Sequence, residues 1–112
     1  MTAGSHTLAD LYARFRQSWS VETGRHWKAD NPAAGQCGAT ALVVNDKLGG
    51  CILKTNVNGA WHFYNLINDK RIDFTMSQFS SPISYDDISS SREEALLDCS
   101  QEQYELLRSR VR

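Results

Sequence analysis

From Cys37 to Val44 the chain reads Cys-Gly-Ala-Thr-Ala-Leu-Val-Val, small and apolar on almost every side. A helix without a polar face has to be surrounded, so this stretch predicts a central, buried helix running to about Leu48. Asn45, Asp46 and Lys47 turn the pattern polar. Gly49-Gly50 then stops it, because the position after a helix commonly needs the positive φ that glycine tolerates. A chain of 112 residues has room for one core built around that helix. We therefore expect a single domain over residues 1–112, with residues 1–6 a disordered tail.

The remaining segments supply what would surround the helix. Thr7 precedes Asp10 at cap spacing, and Leu8, Leu11, Tyr12, Phe15 and Trp19 recur at helical intervals, predicting a first helix from about Leu8 to Trp19. Residues 20–35 read as irregular, anchored by Trp27, and a loop of that length in a small domain usually serves a site. Within it Asn31-Pro32 sets an extended or turn geometry ahead of Cys37. After Gly50, three short runs read as strands: Cys51 to Val57, Trp61 to Ile67 and Arg71 to Thr75. Asn58-Gly59 and Asn68-Asp69 separate them as two-residue turns, which predicts a three-stranded antiparallel meander. Ser91-Arg92-Glu93-Glu94 and Ser100-Gln101-Glu102-Gln103 each read as a capping box opening a helix. Tyr104, Leu107 and Val111 would line the inner face of the second. The expected class is α+β: a central helix packed on an antiparallel sheet and flanked by terminal helices.

Composition closes off several kinds of function. Hydrophobic residues make up 41% and charged residues 22% of the chain, an ordinary globular balance. A net charge of −1 gives no electrostatic footprint for nucleic acid or an anionic membrane. No apolar run approaches the roughly 20 residues that a spanning helix needs. The start of the chain lacks a basic region followed by an apolar stretch, so no signal peptide is expected. Three widely spaced cysteines, Cys37, Cys51 and Cys99, fit reduced thiols better than a disulfide framework, and we expect a cytoplasmic protein. No pair among His6, His26, His62 and the cysteines has metal-ligand spacing, and no phosphate-cradling glycine motif is present. Neither a metal nor a cofactor is expected.

Chemistry is carried by three residues on three elements. Cys37 sits at the start of the buried helix, where the positive end of the helix dipole favours a thiolate. If Asn68-Asp69 are the two turn residues, Ile67 pairs with Lys70 and Tyr64 with Asp73. Alternation then puts His62, Tyr64 and Asp73 on one face, with Asp73 diagonal to His62. A register one residue longer would separate them. With the helix packed on this sheet, Cys37 would be the nucleophile, His62 its base and Asp73 the group that orients the imidazole. The backbone N–H of Cys37, unpaired at the helix start, is a candidate oxyanion donor, with a second from the side chain of Gln36 or of Asn31. Each residue also has a plain structural reading: a cysteine as a small hydrophobe, a half-buried strand histidine, an aspartate serving a turn. Two further functional readings therefore stand beside the enzyme: a non-catalytic module that binds a ligand or protein, and a partner protein acting as a dimer.

The stretches Ser18-Trp19-Ser20, Trp27 with Asn31-Pro32, Gly35-Gln36-Cys37-Gly38 through Val44, and Trp61-His62-Phe63-Tyr64-Asn65 resemble the uncharacterised bacterial YunG-like family. Arg71-Ile72-Asp73-Phe74-Thr75 and Ser91-Arg92-Glu93-Glu94 continue the match, from about Ser18 onward. More distantly, the order Cys37, His62, Asp73 is similar to papain-like, NlpC/P60 and transglutaminase-like cores. That similarity implies a papain-like core and thiol chemistry on an amide, isopeptide or ester bond of a small-molecule or peptide substrate. The chain lacks the extra lobe that builds the substrate cleft in those enzymes.

Overall fold

The computed structural model describes residues 7–112, so the tail expected at residues 1–6 lies outside the described residues. The Thr7 hydroxyl accepts the Asp10 N–H and caps α1 (Leu8–Ser18), a contact typically worth about 1 kcal/mol. Trp19, the residue after α1, donates its indole N–H to the Thr40 hydroxyl at 2.9 Å. That bond fastens α1 to α2 (Cys37–Leu48), in which every residue from Cys37 to Val44 is buried. Around α2 pack Leu11 and Phe15 of α1, Ile52 and Phe63 of the sheet, and Ala95, Leu107 and Val111 from later in the chain. The absence of a polar face is thus met by neighbours on all sides.

The sheet is antiparallel with strand order β3-β2-β1-β4, formed by β1 (Cys51–Val57), β2 (Ala60–Ile67), β3 (Lys70–Ile72) and β4 (Ile88–Ser89). Both turns are two residues long and carry positive φ, 53° and 88° at Asn58 and Gly59, and 51° and 65° at Asn68 and Asp69. The pairs Ile67–Lys70 and Asn65–Ile72 follow. This is the register read from the sequence. The meander, however, has a fourth strand: Ile88 and Ser89 pair with Lys54 and Leu53 on the free side of β1. Two residues within a polar, serine-rich connection are too few to show alternation, so nothing in that segment announces a strand.

Both faces of the sheet are covered. Asn65 donates its side-chain N–H to the Ala41 carbonyl of α2 at 3.0 Å, so Phe63 and Asn65 face the helix. Alternation sends His62 and Tyr64 to the other face. There the connection from Asp73 to Asp87 lies over them: Phe79 packs edge-on against His62 and Tyr85 against Tyr64. Ser91 caps α3 (Arg92–Leu97), and Ser100 with Gln103 forms a reciprocal capping box at α4 (Gln101–Arg110). Tyr104, Leu107 and Val111 are buried as the helical spacing predicts. The result is a small α+β fold of four helices and an antiparallel sheet. No helix among the described residues is long and apolar enough to cross a membrane.

Candidate active site

The hairpin register decides the position of the histidine and the aspartate. His62 Nε2 lies 2.7 Å from Asp73 Oδ2, and both side chains are 3% exposed. Asp73 is held from several directions. Its Oδ2 also accepts the Tyr85 hydroxyl at 2.8 Å, while Oδ1 accepts the Thr75 N–H and hydroxyl at 3.2 Å each. A carboxylate so supplied with donors is fixed in orientation and accepts the imidazole Nε2–H. The lone pair of the neutral ring then falls on Nδ1. That Nδ1 is buried and has no hydrogen-bond partner among the described residues.

Cys37 approaches from the other face, around the edge of β2. In a hairpin closed by a two-residue turn the hydrogen-bonded pairs alternate, so Ile67 and Asn65 point their N–H groups towards β3, and Phe63 does the same. Because β3 stops at Ile72, no strand receives the Phe63 N–H. It lies beside the Cys37 sulfur and favours the thiolate. This contact places the start of α2 at the open edge where the two faces of the sheet meet.

At that edge the thiol turns to a residue that sequence reasoning missed. Cys37 Sγ donates to Asp98 Oδ2 at 3.2 Å, and the same oxygen accepts the Gly38 N–H at 3.1 Å. Asp98 follows α3 directly and stands where an anion caps the start of a helix. The site therefore differs from the expected one in two respects. The thiol is paired with a carboxylate and makes no hydrogen bond to His62. Its pKa is also pushed well above the ordinary value, first by burial and then by the negative charge of Asp98, against the expectation that the helix dipole would lower it. Asp73 raises it further through space, and Asp98 is itself raised, chiefly by burial, against the opposing bonds from Cys37 and the Gly38 N–H. Thiol, dyad and Asp98 are thus electrostatic neighbours. Only a fold that returns α3 to the start of α2 brings Asp98 here. Its one local signal is its place at the end of a short capped helix.

The two side chains considered as oxyanion donors are engaged elsewhere. Gln36 is fully buried; its Oε1 accepts the Thr23 hydroxyl at 2.7 Å and its Nε2 points at the carbonyls of Ser20, Gly24 and Ala34 at 3.2–3.4 Å. It organises the loop that precedes Cys37 and has no amide proton left for a substrate. Asn31 Nδ2 donates to the Gln78 carbonyl at 3.1 Å and ties the same loop to the short turn after β3. The Cys37 N–H, by contrast, is given to no protein acceptor among the described residues.

A cleft of about 650 Å³ opens over the thiol, lined by Arg25, His26, Cys37, Trp61, Gln78 and Asp98 among others. Cys37 itself is 7% exposed and is one of the residues that line this cleft. Among the described residues no group of three or more His, Cys, Asp or Glu is arranged to hold a metal ion.

Comparison with known proteins places these residues in a wider set. Residues 7–112 match the family described as "YunG protein". Over 93 residues the chain is 54% identical to the "Uncharacterized protein YunG" of Bacillus subtilis (strain 168), an alignment that covers 83% of this chain and 81% of that protein. No solved structure matches the chain.

Proposed function

The chain belongs to the YunG protein family, and from the geometry of its site we propose that it is a thiol hydrolase or acyltransferase on a papain-like core. Cys37 is the nucleophile, His62 the general base and Asp73 the residue that orients the imidazole. One observation carries this reading: a buried His62–Asp73 pair at 2.7 Å whose second ring nitrogen is unpartnered. Burying a polar nitrogen without a partner costs about 1–3 kcal/mol. Such a cost is understandable where the nitrogen serves a reaction.

In the proposed reaction the thiol proton passes to Nδ1 as sulfur attacks an amide, isopeptide or ester carbonyl. The proton on Nε2 stays there, hydrogen-bonded to the Asp73 carboxylate, which stabilises the imidazolium. The carbonyl oxygen takes the new charge against the Cys37 N–H. On collapse the leaving amine or alcohol recovers the proton from Nδ1, and the acyl group remains as a thioester. Water or a second amine then attacks, with His62 again as base. The substrate is a small molecule or a peptide. The three free cysteines fit a cytoplasmic setting.

A second reading is favoured by the resting thiol, 7% exposed and bonded to Asp98. On that reading the same fold is a non-catalytic module and the cleft holds a ligand or protein. p-Nitrophenyl acetate separates the two. The enzyme reading expects an acetyl group on Cys37, found by peptide mass spectrometry, and at least a tenfold loss of its formation in His62→Ala, within the range of general-base contributions. Acetylation spread equally over Cys37, Cys51 and Cys99, or unchanged in His62→Ala, would leave the binding module standing.

A further inference from the structure

We propose that Asp98 is a positioning residue that holds the Cys37 thiol in a resting state, bonded to its carboxylate and not to His62, and that catalysis begins when this contact opens. The proposal rests on the thiol-enzyme reading of the site and adds a control element to it. Two independent contacts argue for it. Asp98 Oδ2 takes both the Cys37 thiol proton and the Gly38 N–H, at 3.2 and 3.1 Å, so a single oxygen occupies the start of α2 and the sulfur together. Meanwhile the natural acceptor for that proton, His62 Nδ1, is buried with no partner.

Gly38 shows how closely the carboxylate is seated. A Cβ at this position would lie 2.7 Å from Asp98 Oδ2 and 2.9 Å from Asp98 Cβ, so no larger residue fits beneath it. The other face of Asp98 is open to the cleft, because the residue is exposed and lines it with Arg25, His26 and Trp61. A hydrogen-bond donor or cation entering the cleft meets this carboxylate first. Once Asp98 is engaged by such a group, the thiol proton is free to move to Nδ1, leaving a thiolate beside an imidazolium. The proton is transferred within the site, and no other reagent is needed.

The charged and titratable groups around the thiol and Asp98 come from several elements. They are Asp98 after α3 and Asp73 after β3, which act on the sulfur, His62 of β2, and His26 and Arg25 from the loop before α2, which line the cleft beside Asp98. Removing the charge at Asp98 alone isolates its part. Asp98→Asn keeps an oxygen for the Gly38 N–H and removes the anion; Asp98→Ala removes both. Both are compared with the unaltered chain by circular dichroism and melting, and either one that retains the native melt is used.

The measurement is the rate of Cys37 alkylation by iodoacetamide from pH 5 to 10, read by peptide mass spectrometry. In Asp98→Asn we expect alkylation at pH 7 to be about tenfold faster and its pH midpoint to fall by about one unit, as removal of an adjacent negative charge demands. The gain should vanish in Asp98→Asn with His62→Ala. An unchanged or slower rate in natively folded Asp98→Asn and Asp98→Ala overturns the proposal. If that happens while acetylation of Cys37 still depends on His62, the enzyme reading survives alone. A gain that persists without His62 supports the Asp98 contact and removes His62 as the base.

Discussion

Gly38 shows how a residue without a side chain can determine chemistry. In the sequence it is only one of the small residues that open α2; the structure sets the Asp98 carboxylate and the Ala95 carbonyl oxygen against it, each 2.7 Å from where a Cβ would stand. Gly38→Ala should therefore push α3 off the start of α2, destabilising the fold by about 1–3 kcal/mol as overpacking does. Urea unfolding followed by Trp fluorescence checks the loss, and alkylation of Cys37 should accelerate in parallel as Asp98 is displaced. A stability equal to that of the unaltered chain would mean that α3 yields without cost. At this scale the sequence indicated the His62–Asp73 pair, because turn length alone dictates the register. For Asp98 the only local signal is its place at the end of a short capped helix, because its approach to Cys37 depends on a contact spanning 61 positions of chain.

Among the elements, the two hairpin turns and the end of α2 were the most legible, since positive φ restricts which residues can serve. Gly49 and Gly50 are the instructive pair. Both have positive φ, at 75° and 72°, yet a Cβ on Gly49 meets nothing within 4 Å while one on Gly50 falls 2.3 Å from the Leu66 carbonyl oxygen of β2. Alanine at either position bears the strain of an unfavourable backbone, about 1–3 kcal/mol. Gly50→Ala must also separate the start of β1 from the end of β2. We expect its urea midpoint to fall clearly further than that of Gly49→Ala; equal midpoints would mean that the strand ends give way freely. The element that escaped sequence reading, β4, is short enough that only its partner β1 defines it. The helix-bearing face escaped for a related reason. Alternation shows that His62 and Phe63 lie on opposite faces but not which face α2 chooses, and Asn65 reveals that choice by reaching Ala41.

For the whole molecule, the direction of pH dependence follows from groups placed throughout the fold. Burial raises Cys99 from 9.0 to about 12 and, together with the Asp87 contact, raises Tyr64 from 10.0 to about 12. Each is protonated more firmly in the folded chain than in the unfolded one. Their stabilisation is complete below the unfolded values and is lost as pH rises towards the folded ones. Asp87, held down by Arg71 and Tyr64, and Glu94, held down by Ser90 and Lys54, act in the opposite direction, and their help fades as pH falls below the ordinary carboxylate range. The melting temperature should accordingly decline on both sides of neutrality. In Cys99→Ala the decline between pH 9 and 11 should be shallower than in the unaltered chain, a comparison that calorimetry makes directly. An identical alkaline slope would show that Cys99 carries none of it.

The helix without a polar face also has a cost in time. The β1–β2–β3 hairpins join near neighbours in sequence and can form early, and α2 can settle on one side of them at once. Its other sides wait for α1 and α4, which lie towards opposite ends of the described chain. Until both arrive, Leu42, Val43 and Val44 present a greasy stripe to whatever else is in solution. During that interval the chain is most vulnerable to aggregation, and a holding chaperone would have most to grasp. The feature that makes the folded core secure is therefore also what makes the journey to it hazardous.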